Sequence, residues 1–189
     1  MAFGPFGTVE LVKIDVAHAE LLRGLIMSHK PKTILELGVG GGQGTNAMLS
    51  ALEYNEQAYN YTLVDNWLDF DYVQPPEVAE RYGSRINIVT SGEKEFVFSC
   101  DQKFDFIMSD ADHHRADQWF EHVYQNLLNA NGILVYHDVN LVDADAFHNL
   151  AGIYHKCRSD KIPHMLFNRN SKSGERCQRG LLVIFKHDE

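Results

Sequence analysis

Residues 34–45 read Ile-Leu-Glu-Leu-Gly-Val-Gly-Gly-Gly-Gln-Gly-Thr. An apolar run ends at Leu37, glycines follow at 38, 40, 41, 42 and 44, and a helix-compatible stretch from Asn46 to Leu52 comes next. This strand–turn–helix pattern leaves few folds open. Glycine has no Cβ, so the backbone can turn sharply and let a ligand come close. The helix start beyond it carries N–H groups with no intrahelical partner. A cofactor is therefore expected at the C-terminal end of this first strand.

The spacing of the turn narrows the choice. The dinucleotide pattern G-x-G-x-x-G fails in both registers, because its third position falls on Gln43 or on Thr45. A phosphate-binding P-loop needs Gly-Lys-Ser/Thr, and no lysine occurs between Lys32 and Lys94. Glu36 would repel a diphosphate and suits a cationic or hydroxyl-bearing ligand. A second apolar strand, Tyr61 to Asp65, ends in an acid 21 residues after Gly44. That is near the roughly 20 residues expected of a ribose-binding carboxylate. Asn66 and Trp67 follow, and Trp67 either covers a ligand or packs under a loop. After a third strand, 85–90, comes Ser91-Gly92-Glu93, which is also an ordinary turn sequence.

Helix and strand patterns alternate along the chain. A helix is expected over 15–29, with Asp15 as its N-cap. Strands are expected near 33–37, 61–65, 85–90, 104–109, 132–137, 164–168 and 180–186. Helices are expected near 44–55, 75–82, 92–99, 115–130 and 143–157. This alternation predicts an α/β fold, a Rossmann-like doubly wound sheet of about seven strands. The sheet should be mostly parallel, with one antiparallel strand near the C-terminus. The whole chain, 1–189, reads as a single domain with its core over about 32–187.

The segment Glu36-x-Gly38-x-Gly40-x-Gly42 resembles the first motif of class I S-adenosyl-L-methionine-dependent methyltransferases. The resemblance implies that Glu36 lies near the methionine portion of the cofactor and that Gly38, Gly40 and Gly42 let it lie over the turn. It further implies that Asp65 binds the ribose, with Asn66 beside it, and that Ser91 lies where adenine is contacted. The predicted sheet also looks like the core of that class.

Two later strand ends carry more chemistry. One reads Asp110-Ala111-Asp112-His113-His114, the other His137-Asp138-Val139-Asn140. In a doubly wound sheet both open on the crevice of the glycine turn. They resemble a branch of small-molecule O-methyltransferases with Asp-Gly-Asp-His and His-Asp motifs, here with Ala111 in place of the glycine. That resemblance implies that Asp110 and Asp138 hold magnesium or another divalent metal. Magnesium takes carboxylate and water oxygens, and a bound ion lowers the pKa of a hydroxyl. His113 or His137 could instead be the general base. In the plainer alternative, Asp110 only closes the cofactor pocket and Asp112 caps the helix near Arg115.

Composition excludes some functions and leaves others. A net charge of −9 argues against nonspecific nucleic-acid binding. No apolar stretch approaches the roughly 20 residues of a membrane span, and the first residues do not read as a signal peptide. Cys100, Cys157 and Cys177 have neither metal nor redox spacing, so a cytoplasmic location is expected. The expected function is S-adenosyl-L-methionine-dependent O-methylation of a small molecule. Residues 155–189 carry a balance of +4 against −13 for the rest, which hints at an anionic substrate. The aromatic segment 66–84 reads as a lid suited to an aromatic or sugar substrate. The apolar N-terminal segment 2–14 is a candidate contact in a homo-oligomer. A metal-dependent hydroxylase on the same fold and a noncatalytic cofactor-binding subunit are the alternatives.

Overall fold

The computed structural model describes residues 16–67, 83–139, 141, 150–168 and 180–187. The N-terminal segment, Asp15, the expected helix at 75–82, Asn140 and most of the supposed lid lie outside these residues. So do Cys177 and much of the C-terminal basic stretch. The chain begins with α1 (Val16–His29), β1 (Thr33–Leu37), α2 (Gln43–Tyr54) and β2 (Asn60–Asp65). It continues through β3 (Ile86–Thr90), α3 (Glu93–Ser99) and β4 (Phe104–Ser109). A helical segment follows, here α4, made of a 3₁₀ turn Ala116–Gln118, an α-turn Phe120–His122 and a π-helical end Val123–Leu127. Next come β5 (Leu128–Tyr136), α5 (Ala151–Ser159), β6 (His164–Asn168) and β7 (Gly180–Phe185).

The seven strands form one sheet in the order β3-β2-β1-β4-β5-β7-β6. Pairs β1–β2, β1–β4, β2–β3 and β4–β5 are parallel, and β7 runs antiparallel to both β5 and β6. This is the expected sheet with its single antiparallel strand. Alternate residues of each strand face opposite sides, and both sides are covered. Ile34, Tyr61, Leu63, Phe106 and Met108 pack with Leu22 and Ile26 of α1 and Met48 and Leu52 of α2. Leu35, Val64, Ile107 and Leu134 pack with Val97 of α3, Phe120 of α4 and Ile153 of α5.

Among the described residues, one element departs from expectation. The helix predicted over 115–130 stops at Leu127, and β5 starts at Leu128 rather than near 132. The register explains why. Leu128 pairs with Phe104 but Ile133 pairs with Phe106, so β5 bulges over Asn129–Gly132. Asn131 has φ +60° there, and Asn129 Nδ2 donates to Asp105 Oδ1 at 2.8 Å. Lys186 closes the helix end: its ammonium donates to the carbonyls of Tyr124, Gln125 and Leu128 at 2.8, 3.2 and 2.9 Å. A cation on a helix's last carbonyls satisfies groups with no partner of their own.

The parallel ladder extends one residue past the strand ends. Gly38 N–H donates to Val64 O and Asp110 N–H to Leu37 O, both at 2.8 Å. Ser91 N–H donates to Asp65 O at 3.0 Å and His137 N–H to Ser109 O at 3.1 Å. Gly38, Ser91, Asp110 and His137 therefore leave the sheet along one edge.

Candidate active site

Along that edge lies a cleft of about 760 Å³. Glu36, Gly38, Gly40, Asp65, Asn66 and Ser91 line it from one side, and Asp110, His113, His137 and Asp138 from the other. Gly42 is the N-cap of α2, with φ +73° and no side-chain cap on the helix. Its neighbours Gly41, Gln43 and Gly44 line the cleft, so an uncapped helix start borders this space.

Gly38 is the tightest point. Its φ is +84°, and a Cβ there would lie 2.6 Å from the carbonyl carbon and oxygen of Asp110 and 2.7 Å from the Cα of Ala111. The glycine turn and the acid-bearing strand end touch through backbone, which only glycine permits.

Two carboxylates organise the turn. Asp65 Oδ2 accepts the N–H groups of Val39 and Gly40 at 2.8 and 3.0 Å, and Oδ1 accepts that of Trp67 at 2.9 Å. A carboxylate has about four lone-pair sites, so capacity for one hydroxyl donor remains. Glu36 is buried; Thr45 Oγ1 donates to its Oε2 at 2.7 Å, and the Tyr61 hydroxyl donates to the same oxygen. Burial pushes its pKa up from 4.5 to about 8, against the pull of the two hydroxyls. Trp67 packs against the core beneath α1 and α2 and is not among the residues lining the cleft.

The second strand end is a network of acids and imidazoles. Asp110 Oδ1 lies 3.0 Å from both His113 Nε2 and His137 Nδ1. Asp138 Oδ2 lies 3.8 Å from His113 Nδ1, and its Oδ1 lies 3.4 Å from His137 Nδ1. Burial opposes charge on Asp110, but the attraction of His137 and the bonds from both imidazoles outweigh it and hold its carboxyl well below the usual range. The reverse holds for His113 and His137. Burial would lower their pKa values, but Asp110 raises them above the ordinary histidine value. The two rings differ in access: the side chain of His113 is 24% exposed and that of His137 only 2%. Asp138 sits at φ +58°, a strained conformation for a residue with a Cβ.

Asp112 holds the turn before α4, whose first 3₁₀ segment has Arg115 as N-cap and no side-chain cap. Its Oδ1 accepts the N–H groups of His114 and Arg115 at 3.1 and 3.0 Å, ahead of the turn that opens α4. Asp110, His137 and Asp138 each offer a donor atom, all within 4.8 Å of one another. Two carboxylates and an imidazole so close fit a divalent cation.

Sequence reasoning missed two members of the site. Glu93, buried at the start of α3, accepts Ser109 Oγ at 2.7 Å and Asp112 N–H at 2.9 Å. It ties the end of β4 to the helix after β3, and burial raises its pKa. His18 of α1 places Nδ1 3.2 Å from His137 Nε2. A signal for His18 was present: it stands four and eight residues before Leu22 and Ile26, on the buried face of its helix.

Residues 35–139 match a family model described as a methyltransferase domain. No curated protein matches the sequence. Solved structures show the same fold at low identity. An O-methyltransferase from Bacillus cereus in complex with S-adenosyl-L-homocysteine has a TM-score of 0.70 at 15% identity, covering 92% of this chain and 83% of that one. TomG from Streptomyces achromogenes, an O-methyltransferase of tomaymycin synthesis in complex with S-adenosyl-L-methionine, has a TM-score of 0.69 at 15% identity, covering 95% and 84%. A precorrin-6y C5,15-methyltransferase from Geobacter metallireducens has a TM-score of 0.63 at 12% identity, covering 96% and 94%. At such identities the likeness speaks for the fold and not for the acceptor.

Proposed function

The chain belongs to the methyltransferase-domain family and has the class I S-adenosyl-L-methionine-dependent fold, and from that premise we propose that it transfers the methyl group of S-adenosyl-L-methionine to a hydroxyl of a small molecule. The observation that carries this reading is a cleft with two unlike walls. One wall is a glycine turn with an uncapped helix start, and the other is a cluster of carboxylates and imidazoles.

In this proposal Gly38, Gly40 and Gly42 let the cofactor lie against the turn, with Glu36 behind its methionine end. Asp65 and Asn66 receive the ribose, and Ser91 borders the adenine. S-adenosyl-L-methionine supplies the methyl group on a sulfonium cation, and the acidic lining favours that charge. His113, the more exposed imidazole, takes the proton of the acceptor hydroxyl, while Asp110 orients its ring through Nε2. The oxygen–carbon bond forms as the sulfur–carbon bond breaks, which leaves a neutral thioether. Holding the reacting atoms in line lowers the barrier by several kcal/mol. Asp110 and Asp138 are the residues that would hold a divalent ion. Such an ion, when bound, lowers the pKa of the hydroxyl and helps to orient it. The likeness in fold to the O-methyltransferases of Bacillus cereus and Streptomyces achromogenes supports a hydroxyl acceptor. An anionic or sugar-bearing acceptor follows only from the basic and aromatic segments of the sequence.

The test is calorimetric titration of the metal-free protein with S-adenosyl-L-methionine and its demethylated product, followed by a transfer assay on a panel of small hydroxyl compounds. Dissociation constants on the order of micromolar are expected, with turnover lost roughly 10²–10⁴-fold in His113→Gln at unchanged cofactor affinity. No binding of either compound would sink the reading. Binding without transfer would favour a noncatalytic subunit.

A further inference from the structure

Helix α1 lays a histidine against the back of the acid–imidazole cluster. His18 Nδ1 lies 3.2 Å from His137 Nε2, with ring centroids 5.2 Å apart and planes at 83°. His18 is 4% exposed and His137 1% exposed, so bulk water cannot stand in for either partner. On its other side, His137 Nδ1 faces Asp110 Oδ1 at 3.0 Å and Asp138 Oδ1 at 3.4 Å. The ring is thus held between an imidazole and two carboxylates.

A neutral ring satisfies this setting in two ways. With its proton on Nδ1, His137 donates to Asp110, and Nε2 accepts from His18. With its proton on Nε2, it donates to His18 Nδ1, and Nδ1 turns a lone pair toward two carboxylate oxygens. Three acceptor atoms facing one another repel unless a cation lies among them. His18 makes that second arrangement available, because it can accept the Nε2 proton inside the protein. Imidazoles that bind metals almost always donate their other ring N–H to an acceptor, usually a carboxylate, a backbone carbonyl or water, and His18 Nδ1 stands in that place here.

We propose that His137, through Nδ1, is a third ligand beside Asp110 and Asp138 for a divalent ion, and that His18 of α1 is its outer hydrogen-bond partner. An imidazole ligand shifts the site away from an all-oxygen magnesium site and toward manganese, iron, cobalt or zinc. The proposal shares the acid–imidazole cluster with the methyl-transfer reading and rests on it only for the placement of that cluster.

Pulsed electron paramagnetic resonance of the manganese-loaded protein tests the ligand directly. A nitrogen hyperfine coupling is expected in the wild type and in His113→Gln, and its loss is expected in His137→Gln. Calorimetry with manganese tests the partner. His18→Leu should weaken binding roughly 10–100-fold, whereas His18→Asn sets an amide oxygen near the place of Nδ1 and should recover most of the affinity. Circular dichroism and S-adenosyl-L-methionine binding check that each variant is folded. If His18→Leu does not fold, His18→Gln provides the comparison, because its longer side chain carries the amide past the Nδ1 position and should bind manganese more weakly than His18→Asn. No manganese binding, or binding without nitrogen coupling, overturns the proposal. Equal affinity in all His18 variants overturns the role of His18. Cofactor binding in the same wild-type sample separates these failures from failure of the methyl-transfer reading.

Discussion

The two walls of the cleft handle their carboxylates, one buried and one partly buried, in opposite ways. On the glycine-turn wall, buried Glu36 accepts from the hydroxyls of Thr45 and Tyr61, and burial lifts its pKa to about 8. On the other wall, Asp110 meets two imidazoles and stays ionised well below the usual range. Burial penalises charge at both. Two neutral hydroxyl donors do not offset that cost at Glu36, whereas two basic rings do at Asp110. The walls also differ in construction. The turn is built largely from backbone of neighbouring residues, clamped by Asp65. The cluster is built from side chains that reach it from β4, β5 and α1.

The largest effect is expected where the imidazoles lose their anion. Asp110→Asn leaves His113 and His137 facing a neutral amide, and turnover should fall roughly 10²–10⁴-fold. Steady-state kinetics on whichever hydroxyl acceptor reacts would check this; a change of less than about threefold would show that the contrast between the walls has no catalytic meaning. Gly38→Ala strikes the seam between the walls. A positive φ costs a residue with a Cβ about 1–2 kcal/mol, and overpacking against the Asp110 backbone adds about 1–3 kcal/mol. Urea denaturation should show a loss of about 2–5 kcal/mol, and stability like that of wild type would mean that the turn moves freely away from β4.

Glu36→Gln should give the cleanest reading of the contrast. The folded pKa of about 8 lies above the ordinary 4.5, so between those values the native state binds more protons than the unfolded chain. The stability linked to Glu36 is therefore complete below pH 4.5 and is lost as pH rises through about 8. The slope is at most about 1.4 kcal/mol per pH unit. The amide of the variant does not titrate, but its oxygen can still accept from Thr45 and Tyr61. Melting curves across this pH range should be flatter in the variant. An identical pH dependence in both proteins would place the buried proton elsewhere.

Much of the fold was legible because its signals are local. Apolar runs ending in glycines or acids marked β1, β2 and β4 close to their observed limits. The run after residue 115 misled, because helical periodicity cannot show that Lys186, distant in sequence, caps a π-helical end and lets β5 begin at Leu128. Asp112 shows what local reading can miss at the site: the sequence allowed it as a helix cap, but its carboxylate accepts from His114 and Arg115 in the preceding turn, and Arg115 is the N-cap residue. Glu93 stood beside a residue already singled out, yet only the packing of α3 against the end of β4 joins it to Ser109 and Asp112.

By itself, the sequence determined that this chain forms a parallel-centred α/β sheet with a glycine turn at the end of its first strand, because hydrophobic periodicity and glycine spacing act over a few residues. It also named the acids and histidines at the ends of β4 and β5. The tertiary structure alone decided which of these groups share an oxygen, which imidazole is open to the cleft and which is sealed, and that His18 of the first helix stands behind His137. Protonation and metal affinity depend on distances of a few ångströms between residues more than a hundred positions apart in the chain, and such distances exist only once the sheet has brought its strand ends to one edge.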